Sequence, residues 1–145
     1  GGAASQGPGT RIPIQGNQHI QTGERHPPFN SAPPTSGWHY GTSSEWGIRT
    51  TQVLDELQVH NLEHGGVLIQ YDTEDRDLIG QLEALTQRQP NYPCYLLVAP
   101  YAGLRDRETG GSMTMYAIVP RSARVPLISG PASGQSPLRS CSARG

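Results

Sequence analysis

The chain has 145 residues, a formal net charge of −1 and 34% hydrophobic residues, which suits one domain with a core of its own. Its eleven cationic side chains are all arginine and are balanced by twelve acidic ones, so electrostatics gives no reason to expect nucleic acid or an acidic lipid surface as a partner. No apolar run approaches the roughly 18 residues that span a bilayer.

The 18 glycines and 13 prolines are about twice ordinary usage, and they gather toward both ends. Composition therefore predicts an irregular N-terminal arm over 1–18, one domain over 19–119 with its compact core near 45–120, and an irregular tail over 120–145. The first residue is Gly, so a processed or partial chain is expected, with any signal peptide or anchor upstream.

The stretch 26–37, His-Pro-Pro-Phe-Asn-Ser-Ala-Pro-Pro-Thr-Ser-Gly, has two Pro-Pro pairs that fix φ at four positions and withhold four backbone donors. It reads as a stiff loop able to hold His26 and His39 in set directions, with Phe29, Trp38, Tyr40 and Trp46 packing it down. In residues 53–64, Val53, Leu57, His60 and His64 follow a helical stripe. A strand is the rival, because Leu57 and Val59 alternate with polar neighbours. Gly65-Gly66 ends either element. Val67–Tyr71 is a buried strand. Asp72-Thr73-Glu74-Asp75 supplies a capping oxygen and an acidic first turn to a helix whose apolar face is Leu78, Ile79, Leu82 and Leu85 and which Pro90 ends. Tyr95–Ala99 is a second buried strand, and Met113–Val119 a third. The expected fold is α+β: a small sheet of about three or four strands with one or two packed helices, a long irregular N-terminal arm and a C-terminal tail.

All five histidines, His19, His26, His39, His60 and His64, lie in the first 64 residues. Imidazole is the commonest transition-metal ligand, so the clustering is the main functional signal. In a helix, His60 and His64 lie one turn apart with Cβ atoms about 5–6 Å from each other. In a strand they would be roughly 13 Å apart, too far to share an ion. Cys94 and Cys141 lack C-x-x-C spacing. A disulfide in an oxidising compartment and two free thiols both remain open.

Two longer stretches carry a resemblance. Asn30-Ser31-Ala32-Pro33-Pro34-Thr35-Ser36-Gly37-Trp38-His39, then Trp46-Gly47, then His60-Asn61-Leu62-Glu63-His64-Gly65-Gly66-Val67, resemble the motifs N-S-x-P-P-T-S-G-x-H, W-G and H-x-L-E-H-G-G-V of the bacterial domain-of-unknown-function family 3105. His19 and His26 fall where that family tends to place histidine. The resemblance covers roughly residues 17–101 and implies an extracytoplasmic, membrane-anchored setting, the anchor lying in a segment outside this chain. It implies no reaction. After Tyr101 the pattern departs: Met113-Thr114-Met115-Tyr116 stands in for an apolar strand, and no terminal helix follows.

Three functions are weighed. The first is an exported, non-enzymatic domain holding a transition metal through His39, His60 and His64, with His19, His26, Met113 or Met115 completing the set. Thioether donors would suit copper, which is slightly favoured; Glu63 as a donor would suit zinc. The second is a metal-free accessory or structural subunit docked on a larger membrane protein complex, its histidines serving to fasten loops. The third is a zinc-dependent hydrolase in which His60-Asn61-Leu62-Glu63-His64 acts as an inverted peptidase motif with Glu63 activating water. No residue is assigned a catalytic role outside that third reading. The acidic run at 72–77 lacks the glycine of a calcium loop, phosphate-loop and nucleophile-elbow patterns are absent, and Met113 and Met115 are as a rule packing residues.

Overall fold

Alternation along Val67–Tyr71 puts Leu68 and Gln70 on one face of the strand and Ile69 and Tyr71 on the other. The computed structural model describes residues 9–105, 110, 111, 115–118 and 141 and realises this division. The elements are β1 (His19–Ile20), β2 (His39–Tyr40), β3 (Gly47–Ile48), α1 (Asp55–Glu63), β4 (Val67–Tyr71), α2 (Arg76–Gln87), β5 (Leu96–Pro100) and β6 (Met115–Ile118). β1 and β2 form a small parallel pair. The main sheet has the order β3-β5-β4-β6, parallel except for β6, which runs antiparallel to β4. The fold is the small α+β arrangement expected from the sequence.

Each face of the sheet has its own core. Leu68, Leu97 and Ala99 meet Val53 and Leu62, with Trp46 and Leu57 packed alongside, so α1 covers this face. Tyr71 and Val98 meet Ile79 and Leu82, joined by Ile48 and Ile69, so α2 covers the other. Burying one such aliphatic side chain contributes about 1.5–3 kcal/mol.

The helices start and stop for local reasons. Asp75 caps α2 by accepting from the backbone N–H groups of Asp77 and Leu78. Leu85 is 40% exposed, so the apolar face of α2 is narrower than the sequence suggests. Thr86 is buried instead, its hydroxyl donating to the Leu82 carbonyl. α1 ends in a Schellman turn: Gly66 N–H donates to Asn61 O and Gly65 N–H to Leu62 O. Gly65 has φ +84°, which suits glycine. A Cβ at Gly66 would lie 2.5 Å from the Trp46 ring and 2.8 Å from Asn61 O, so that position accepts no side chain.

The interior begins earlier in the chain than expected. Ile20, Pro33, Pro34 and His39 are all buried, and β1, β2 and β3 are two-residue strands with no periodic signature. Residues 9–18 form no helix or strand, yet Gln15 fastens them to the proline loop: its N–H donates to Ser36 Oγ, its side-chain amide donates to Pro28 O, and its side-chain oxygen accepts from Asn30 N–H. Cys94 and Cys141 form a disulfide, deciding between the two thiol alternatives. Apart from Cys141, the predicted tail over 120–145 lies outside the described residues, as do Met113 and Val119. Among the described residues, no helix is long and apolar enough to cross a membrane.

Candidate metal centre

The segment 60–66 gives successive residues different tasks because a helix end presents them in different directions. Leu62 enters the core. Asn61, fully buried, clamps the backbone of Ser44, its Oδ1 accepting from Ser44 N–H and its Nδ2 donating to Ser44 O, both at 2.9 Å. That clamp sets the loop bringing Trp46 over Gly66. His60, buried, and Glu63 lie three apart and so share a side of α1.

β2 supplies the next candidate donor. Backbone bonds from Gly37 N–H to Gly16 O and from His39 N–H to Gln18 O join the proline loop to the arm. Gly37 has φ +122°, and a Cβ there would meet the Phe29 ring at 2.9 Å. His39 is 1% exposed, and its Nδ1–H donates to Gly37 O at 2.7 Å. Parallel register sets His19 beside His39, with ring centroids 4.9 Å apart.

The three elements converge on one atom. Oε2 of Glu63 lies 3.0 Å from His19 Nε2, 3.1 Å from His39 Nε2 and 3.4 Å from His60 Nδ1. The four donor atoms all lie within 4.8 Å of one another. One carboxylate oxygen has about two lone pairs to offer, so three imidazole nitrogens exceed what it can accept. His39 adds to the crowding: its Nδ1 is taken by the Gly37 carbonyl, so Nε2 is the one ring nitrogen it has left for the cluster. His60 Nδ1 is buried and, despite its 3.4 Å approach, makes no hydrogen bond. A cation in the middle would satisfy every one of these groups. Four donors about 2.0–2.1 Å from zinc lie about 3.3 Å from each other, close to the three nitrogen–oxygen separations.

The electrostatics agree. Burial lowers the pKa of His60, helped by neighbouring His64, favouring the neutral form that binds metals. Burial pushes the Glu63 pKa up, but the bonds to His19 and His39 outweigh it and hold the carboxyl below its usual value. The group is thus anionic at neutral pH.

The remaining candidates lie elsewhere. His64 stands behind His60, their Nε2 atoms 2.9 Å apart, outside the four-donor group. His26 contacts Pro27 O through Nδ1 at 2.8 Å and Glu56 Oε1 through Nε2 at 3.1 Å. Both of its nitrogens face acceptors, so the ring is suited to carry charge, and its pKa is raised by the Pro27 carbonyl and then by Glu56. Met113 lies outside the described residues. Met115 is paired in β6 with Tyr71, four residues along β4 from Val67 and so about 13 Å from the strand end that follows the site. Glu63 Oε2 faces His19, His39 and Nδ1 of His60, whereas His60 and His64 meet each other through Nε2, the nitrogen of His60 turned away from Glu63. In the sequence, Glu63 is a donor only for a zinc site and His19 only a completing ligand. The β1–β2 pairing that places His19 leaves no local signal.

The family described as Protein of unknown function (DUF3105) matches the chain over residues 19–116, a span that includes all four donors. No curated protein and no solved structure matches it.

Proposed function

The chain belongs to the DUF3105 family, and we propose that it is an exported, non-enzymatic domain whose His19, His39, His60 and Glu63 hold one divalent transition-metal ion. The observation that carries this reading is the crowding of three imidazole nitrogens around a single Glu63 oxygen at 3.0–3.4 Å. His39 in that group has already given its other nitrogen to Gly37. Three imidazoles and a carboxylate suit zinc or copper(II); copper(I) prefers sulfur. Both cysteines are spent in the disulfide, which disfavours copper(I), and the compact four-donor group suits the tetrahedral preference of zinc better than the tetragonal one of copper(II). Four protein donors complete a tetrahedron and leave no position for a reactive water, which favours a non-catalytic centre over a hydrolase. The disulfide supports an oxidising, extracytoplasmic compartment.

The test is elemental analysis and zinc titration of the protein purified without a histidine tag. One ion per chain is expected in the wild type and none in a His39→Ala, His60→Ala double variant. A wild type that binds no metal, with a double variant that unfolds, would leave the cluster as an architectural clasp.

A further inference from the structure

His64 is the histidine that the four-donor group leaves out. It caps the C-terminus of α1, one turn beyond His60, and its side chain turns back so that the two rings lie with centroids 4.6 Å apart. The contact is between Nε2 and Nε2 at 2.9 Å, a distance that requires one nitrogen to donate and the other to accept.

The direction of that bond decides what His60 can do. A neutral imidazole carries one proton. If His64 donates, the His60 proton must sit on Nδ1, which is buried and has no acceptor in good geometry; the ring then has no lone pair facing Glu63. If His60 donates from Nε2, its Nδ1 lone pair points into the cluster, where His19, His39 and Glu63 converge.

We propose that His64 is the positioning residue of the centre: it accepts the Nε2–H of His60 and so locks His60 in the tautomer that presents Nδ1 as a ligand. This rests on the metal reading above and adds to it which nitrogen of which ring binds. It also completes a symmetry of construction. The two buried ligands, His39 and His60, each have a fixed acceptor on the ring nitrogen that does not face the cluster: the Gly37 carbonyl for one and the His64 ring for the other. Outer partners of this kind orient the ring, set the tautomer and raise the basicity of the ligating nitrogen. His64 is exposed, so truncating it leaves the core intact.

The experiment combines zinc affinity, measured by chelator competition, with two-bond proton–nitrogen spectra of the histidine rings in the zinc-loaded protein. His60 should have zinc on Nδ1 and the proton on Nε2. His64→Ala should bind zinc roughly 10- to 100-fold more weakly with unchanged stoichiometry. His64→Gln, whose side-chain oxygen can accept from Nε2–H, should recover part of the loss. Zinc on His60 Nε2 or on either nitrogen of His64, or an unchanged affinity in His64→Ala, overturns the assignment to His64 while leaving the centre standing. A wild type that takes up no zinc overturns both.

Discussion

Nε2 of His39 lies 3.1 Å from Oε2 of Glu63, and the two residues reach that contact from opposite starting points. His39 is delivered by a proline-stiffened loop and a two-residue parallel strand, while Glu63 is the last residue of α1. His39 is held by its bond to the Gly37 carbonyl, and Glu63 is carried by the end of α1, which the Gly65-Gly66 turn closes. The contact thus joins two pieces that are each held by their own hydrogen bonds, and on the proposed reading this lowers the cost of ordering the donors around an ion.

His39→Ala and Glu63→Gln should therefore each weaken zinc binding by more than the roughly 10- to 100-fold typical of losing an outer partner. Glu63→Gln keeps the shape and removes the charge, so it should act on metal affinity more than on folding. Isothermal titration and a denaturation curve of the metal-free protein separate the two effects. Equal zinc affinity in wild type and Glu63→Gln would remove the carboxylate from the donor set.

Gly66→Ala tests the framework and not the ligands. The added methyl would press on Trp46 and on the Asn61 carbonyl, the carbonyl being backbone that cannot swing away. Overpacking of this kind costs about 1–3 kcal/mol. Gly65→Ala should cost about 1–2 kcal/mol for a different reason, the left-handed backbone at that residue. Urea denaturation of both variants, without metal, reads these losses directly. A variant at Gly66 as stable as the wild type would show that Trp46 moves aside freely.

His26 gives the chain a pH dependence separate from the group of His19, His39, His60 and Glu63. Its pKa is raised above 6.5 by the Pro27 carbonyl and by Glu56. A raised pKa in the folded state means that the charged clasp contributes its full stability below the unfolded value and loses it as pH rises through the folded one. The difference in thermal stability between wild type and His26→Gln should thus be larger near pH about 5.5 than near pH about 8.5, by roughly 1 kcal/mol at most because the pair is partly solvated. Thermal melts across that range, with metal removed, check it; a gap that widens as pH rises would reverse the assigned charge state.

Much of the scaffold was legible in the residues themselves. The apolar run of Val67–Tyr71, the helical spacing of Ile79 and Leu82, the capping carboxylate of Asp75 and the Gly65-Gly66 stop are local patterns, and local patterns survive without knowledge of the rest of the chain. The concentration of histidine before residue 65 was equally visible, as were the two stretches that carry the resemblance to the family. What the tertiary structure alone decided is which atoms meet. His19 is brought to the cluster by a two-residue pairing with His39, too short to leave a period. His64, placed by helical spacing as the natural companion of His60 on a shared ion, contacts the far nitrogen of that ring, because the turn of backbone after Glu63 carries it past the cluster. Cys94 and Cys141 meet across 47 residues. Sequence determines the elements because helix and strand are set by neighbours along the chain; ring orientation and long-range contact are set by neighbours in space, which only the folded chain supplies.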